Sequence, residues 1–368
     1  MASSTARSTI RVPLPRDVTR AHTLEQLAWP NRVAPGSERA QPRGPSPGRT
    51  AVASAPPEER ALAYNAATRL IRLSDGSDFL IIPRESPNER TSIEALLVSP
   101  RGRDQDRTFR VSRWISSLVG EGTIGQIYSA ALSPDGEWLA ATAGWWGKDN
   151  RGHNGIFMMR HATRGGLDFF DLKNWFDVAG LTIGDIEFGP DDTLLTISQE
   201  NRPDQPSPIV TLFSYAGENL GSFIPSPNHG DPRSASFARL MRLSRTGPSS
   251  FVIYDPETAA ARWIHITATG GRSQVVEDRR AAIPAERPRI PVLAFSALPN
   301  GHLVVARNLA QDRHPRTIVS VYAPDGKEIE SWQSPEVWTY GATEKSTVHG
   351  YSLAPAADKV THSTVSVR

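Results

Sequence analysis

"ALSPDGEWLAATAG" occupies residues 130–143. Small apolar residues lead into Ser133-Pro134-Asp135-Gly136, and Trp138, Leu139, Ala140 and Ala141 follow. Proline presets a turn φ, aspartate bonds its own backbone two residues on, and glycine accepts a positive φ. Flanked by apolar and aromatic residues, this reads as a β-hairpin.

The hairpin recurs. "IEFGPDDTLLTIS" (186–198), "LMRLSRTGPSSFVIY" (240–254), "LAFSALPNGHLVVAR" (293–307) and "YSLAPAADKVTHS" (351–363) are relatives, and "RLIRLSDGSDFLII" (69–82) is a looser first copy. The turn centres fall near 75, 135, 191, 246, 300 and 356, at intervals of 54 to 60 residues. A near-constant period marks a repeat architecture. Between these turns lies a second set of hairpins. They turn at Pro100-Arg101-Gly102, Gly165-Gly166, Ala216-Gly217-Glu218, Gly270-Gly271 and Pro324-Asp325-Gly326. Each repeat is therefore four strands, A to D. A single sheet of this kind leaves an apolar face wet, and packing such sheets around an axis buries both faces. The expected fold is all-β: a six-bladed β-propeller of four-stranded antiparallel blades over 61–368. The one helical candidate is "VSRWISSLVG" (111–120).

Ser133-Pro134-Asp135-Gly136 followed by Trp138-Leu139-Ala140 resembles the repeat of TolB-like and related six-bladed propellers of bacteria. "VYAPDGKEIESW" (321–332) resembles the outer hairpin of NHL-type blades. The resemblance implies an architecture, not an activity. The Trp-Asp dipeptide of WD40 blades is missing. Prolyl-oligopeptidase-like enzymes carry a hydrolase domain after the propeller, whereas this sequence ends inside its last repeat. With "YSLAPAADKVTHS" read as strands A and B, the last blade lacks C and D. "RALAYNAA" (60–67) and "STIRVPLP" (8–15) are the candidates to complete it.

Residues 1–60 differ in composition. They hold nine of the 30 prolines and a net charge of +4, while 61–368 carries a net −2. The basic pI of about 9.0 thus comes from a Pro/Arg-rich arm, expected to be largely disordered, and not from the globular part. The arm has no apolar signal core, which points to a cytoplasmic location; a misplaced start codon would make it periplasmic or secreted. The chain contains no cysteine, so disulfides, thiolate metal sites and a cysteine nucleophile are excluded. No apolar run is long enough for a membrane-spanning helix.

The A–B and C–D turns share one end of each blade, and the B–C and D–A connections share the other. The second set reads as longer and more polar, and long loops on a rigid scaffold are where binding concentrates. The richest is "GWWGKDNRGHNG" (144–155). There Trp145, Trp146, Lys148, Arg151 and His153 can stack on and orient a ligand. Trp145 reads more readily as a blade-interface cap, and Trp146 as an exposed ligand contact. His229 and Asp231 in "NHGDPRS", and His349 in "TVHGYS", read as lying near the entries to A strands. The formal charges of the B–C connections cancel, which leaves no electrostatic footprint for nucleic acid.

No G-x-S-x-G, H-E-x-x-H or phosphate-binding loop is present. The expectation is a monomeric, non-catalytic binding propeller without cofactor or metal, holding a peptide, protein or small ligand on its long-loop rim. The alternative is a hydrolase or lyase of the gluconolactonase or strictosidine-synthase kind. It would use Asp185, Glu187 and His349 at the channel mouth, with Ca²⁺ as the possible metal.

Overall fold

The computed structural model describes residues 69–72, 78–84, 92–98, 107–110, 123–146, 151–164, 167–178, 180–200, 208–225, 241–255, 258–269, 272–283, 292–311, 314–334, 338–344, 346–353 and 360–367, with side chains described for only part of these, none before Tyr128. The arm, "VSRWISSLVG" and both proposed closing segments lie outside these residues. Among the described residues every regular element is a strand.

Six antiparallel sheets follow one another along the chain, five of four strands and one of three. The first comprises β1 (Arg69–Arg72), β2 (Asp78–Arg84), β3 (Ser92–Val98) and β4 (Arg107–Arg110). The second comprises β5 (Thr123–Leu132), β6 (Trp138–Trp146), β7 (Gly152–Arg164) and β8 (Leu167–Asp177). In the third are β9 (Leu181–Phe188), β10 (Thr193–Glu200), β11 (Pro208–Ser214) and β12 (Asn219–Pro225). The fourth holds β13 (Arg242–Arg245), β14 (Ser250–Asp255), β15 (Ala260–Thr269) and β16 (Arg272–Ala282). In the fifth are β17 (Val292–Ala297), β18 (Leu303–Gln311), β19 (His314–Tyr322) and β20 (Glu328–Ser334). The sixth has β21 (Trp338–Glu344), β22 (Thr347–Leu353) and β23 (Val360–Ser366). Each sheet is a meander whose strands pair in chain order.

The turns explain why these segments pair. At 133–138, the Ser133 Oγ–H donates to Asp135 Oδ1, while the Glu137 N–H donates to the same oxygen at 3.0 Å. The Trp138 N–H donates to Ser133 Oγ at 2.8 Å. Gly136 takes φ 76°, a left-handed conformation that a side chain makes costly. The same grammar returns at 323–327, where Gly326 has φ 88° and the Lys327 N–H donates to Asp325 Oδ1 at 3.0 Å. A Cβ on Gly326 would also strike the Ala282 carbonyl oxygen of the fourth sheet. "GPDDT" lacks the turn glycine, and there Asp191 and Asp192 both take positive φ (54° and 55°), the conformation of a type I′ turn, which aspartate tolerates.

The core is a series of sheet-to-sheet interfaces. Ile156 and Met158 of the second sheet pack on Ile186 and Phe188 of the third. Leu195 and Leu212 of the third pack on Phe251 and Ile264 of the fourth. Val252 and Tyr254 pack on Phe295 and Val305 of the fifth, and Val304 and Val319 pack with Val348 of the sixth. The first strands also touch in order: β1 with β5, β5 with β9, β9 with β13, β13 with β17, β17 with β21, and β21 with β1.

Two readings change. "YSLAPAADKVTHS" joins β22 to β23, so it is a second-to-third strand connection and not an A–B hairpin. The last sheet begins one strand earlier, because "WTYGATE" is rich in aromatic and β-branched residues and pairs with β22. Its described residues therefore supply three strands, not two. Two of the connections following the second strands are also much shorter than expected. β6 runs through Trp146 and β7 starts at Gly152, and only 312–313 separate β18 from β19.

Asp135 is held below its ordinary carboxylate range, chiefly by the Ser133 hydroxyl and also by the Glu137 N–H. A depressed folded-state value stabilises the turn above the unfolded aspartate range, and this contribution is lost as pH falls through the folded value. Ser133→Ala is expected to raise the Asp135 pKa toward the ordinary value, as followed by carboxyl NMR titration.

Candidate functional site

At the end of the second sheet that carries its β6–β7 connection, four side chains meet. Trp145 pairs with His153 across β6 and β7. The two rings stack, with centroids 5.5 Å apart and an interplanar angle of 11°. His153 Nδ1 lies 3.0 Å from Asp177 Oδ2 on the last residue of β8. Trp175, two residues earlier on the same face, meets Trp145 edge-on at 5.9 Å and stacks on Phe157 at 6.0 Å. Trp145 is 7 % exposed and Trp175 37 %. The group is thus a buried indole backing a histidine–carboxylate pair, with a second indole open to solvent.

Backbone geometry makes room for it. A Cβ on Gly155 would fall 2.8 Å from Trp145 Cη2 and 3.1 Å from the Phe176 carbonyl oxygen. Only glycine lets the Trp145 ring lie against β7. On the opposite face of the sheet, Ile156, Met158 and Phe176 pack on the third sheet.

The sequence-predicted residues fare unequally. Trp145 and His153 are brought together, but on paired strands and not in a loop. Trp146 is also in β6, opposite Gly152, and its side chain falls outside those described. Arg151 is exposed just before β7. Lys148, His229 and Asp231 lie outside the described residues. Asp177, Trp175 and Gly155 were missed. Their relevance depends on cross-strand register, for which the sequence carries no local signal.

Asp185 sits on β9, a first strand, as expected, but its carboxylate is engaged between sheets. It accepts from the Ser129 hydroxyl on β5, from the Leu243 N–H on β13 at 2.7 Å, and from the Ile186 N–H at 3.0 Å. Glu187 is on the same strand and partly exposed. His349 is not near the entry to a first strand. It is buried in β22, the middle strand of the sixth sheet, opposite Gly341 and Thr364. The displaced start of the last sheet moves it there. Among the described residues no three His, Asp or Glu side chains group as metal ligands, and no helix is long and apolar enough to cross a membrane.

No protein-family model matches the chain, and no curated protein matches it. Among solved structures it is similar to a protein from Lactobacillus plantarum, at 12% identity and TM-score 0.44, covering 82% of this chain and 85% of that one. It is likewise similar to a protein of unknown function from Dyadobacter fermentans DSM 18053, at 8% identity and TM-score 0.44, covering 82% and 94%.

Two substitutions separate packing from contact. Trp145→Ala is expected to cost about 3–5 kcal/mol, as for a buried aromatic. Trp175→Ala, at a half-open position, should cost about 1 kcal/mol. Urea denaturation followed by circular dichroism measures both. Equal losses would place Trp175 in the core.

Proposed function

We propose that the six sheets form a six-bladed propeller of the TolB-like or NHL-like kind, and that it binds a ligand instead of transforming one. The ligand class is a peptide, a protein segment or a small molecule. Binding is assigned to the end of the blades that carries the second-to-third strand connections. The cyclic order of first-strand contacts supports the ring. One observation carries the binding reading: the histidine–carboxylate pair backed by Trp145, with Trp175 beside it and partly exposed. An open indole next to an oriented imidazole offers a stacking surface and a polar contact together, and tryptophan is among the residues enriched in binding hot spots.

A channel-mouth hydrolase or lyase has less support. A general acid or base must reach the proton it moves, whereas Asp185 accepts three hydrogen bonds within the scaffold, and His349 is on a middle strand.

A thermal-shift screen of peptide and small-molecule libraries, run on the wild type and on His153→Ala and Trp175→Ala, tests the reading. The expected result is a set of stabilising compounds whose effect falls at least tenfold in apparent affinity in both variants, while the unliganded melting temperatures stay within a few degrees of the wild type. Compounds that stabilise all three proteins equally would move the binding surface elsewhere. Turnover of a lactone or glycosidic substrate that is lost in Asp185→Asn would favour the enzyme.

A further inference from the structure

A second feature lies between the fourth and fifth sheets, away from the Trp145–His153 group. Tyr254, Phe295, Leu303, Val305 and Tyr322 are part of a buried apolar cluster there. Arg307 follows Leu303 and Val305 at a spacing of two, on the same face of β18, and only 6 % of it is exposed. Its Nη1 donates to Tyr322 Oη at 3.0 Å and its Nη2 donates to Tyr254 Oη at 3.2 Å. The guanidinium carbon lies 5.9 Å from the Tyr254 ring centroid and 5.7 Å from that of Tyr322. Arg307 pairs with Val292, the first residue of β17. It therefore stands toward the same end of its sheet as the β18–β19 connection.

A buried cation is costly unless paired. The ion pairs among the described residues join Arg160 with Glu137, Lys173 with Asp171, Arg262 and Arg280 with Glu277, and two histidines with aspartates. None includes Arg307. Burial works against its charge, yet the facing oxygens of Tyr254 and Tyr322 outweigh burial and hold the guanidinium above its usual range. It is a permanent cation. Of its five N–H donors, these two hydrogen bonds use two. Tyr254, having accepted from Arg307, keeps its own O–H as a donor. The nest is rich in donors and carries one positive charge, so its chemical complement is an acceptor with one negative charge.

We propose that Arg307 and Tyr254, with Tyr322 orienting the guanidinium, form a binding site for a carboxylate. The planar fork matches a carboxylate in two parallel hydrogen bonds, and one negative charge neutralises the site. A phosphate dianion would leave excess charge beside the buried apolar cluster that includes Phe295 and Val305. The site does not depend on the rim reading, because it uses different residues in different sheets.

Thermal unfolding of the full chain in sodium formate, against sodium chloride and sodium phosphate at matched ionic strength, tests the proposal. The variants are Arg307→Met and Tyr254→Phe. The wild type is expected to gain roughly 2–3 °C over chloride, saturating with formate concentration as for a ligand that binds the folded state. Phosphate should give less. Tyr254→Phe, which removes one hydroxyl and keeps the ring, should lose most of the formate gain, and Arg307→Met all of it. Tyr254→Phe decides the matter if Arg307→Met does not fold. A wild type that responds to formate no more than to chloride, or a gain that survives in Tyr254→Phe, would overturn the site and leave Arg307 as a latch between sheets. A larger gain with phosphate would overturn the carboxylate assignment.

Discussion

The Asp185 carboxylate joins three consecutive first strands. From β9 it reaches the Ser129 hydroxyl on β5 and the Leu243 N–H on β13. A carboxylate that is almost fully buried is tolerable only when its lone pairs are met, so these donors fix the second, third and fourth sheets relative to one another. Further along, the Ala297 N–H donates to Ser244 Oγ at 2.9 Å, tying β17 to β13. The apolar interfaces follow from this spacing. Ile156 shares a buried cluster with Ile186, Leu212 with Phe251, and Val252 with Val305. The Arg307 nest lies beside one of these interfaces, and the His153 group lies on the face of the second sheet opposite another.

Edges are handled by charge as well as by packing. β16, the outer strand of the fourth sheet, carries Glu277, Asp278, Arg279 and Arg280 in sequence. Glu277 is drawn below its ordinary range even though burial, the largest influence on it, acts the other way; the hydrogen bonds from Arg262 and Arg280 prevail. Arg279 lies over the Trp263 ring at 3.9 Å, and His265 pairs with Asp278 at 2.7 Å. An outer strand so occupied makes a poor template for pairing with another chain.

Much of this was legible in the sequence. The turn chemistry of Pro-Asp-Gly and Gly-Gly is local, so the hairpins of the first five sheets could be placed directly from the repeat. The last sheet could not. "APAADK" resembles a degenerate turn of the same kind, and the aromatic, β-branched run from Trp338 to Glu344 had no glycine-marked hairpin to announce it. The candidate site was half legible. Trp145 and His153 stand out by residue type, but Asp177 reaches His153 through a register that shifts between Met158 and Met159. In a hairpin a one-residue shift changes which side chains share a face, and nothing local marks that position. Asp185 was noticed for its charge, but its links to the neighbouring sheets left no local signal, because two of its donors lie 56 and 58 residues away.

The central claim is that the sheets close around one axis, bringing β1 beside β21. The absence of cysteine allows a direct measurement. Single cysteines placed along β1 and β21, as in Leu70→Cys with Thr339→Cys and its neighbours, are oxidised under mild conditions. Intramolecular disulfide is read by non-reducing electrophoresis and mass spectrometry, with β1–β13 pairs such as Leu70→Cys with Ser244→Cys as controls. Closure predicts that at least one β1–β21 pair crosslinks rapidly within the monomer while the β1–β13 pairs do not. Crosslinking of β1 to β21 no faster than to β13 would contradict it.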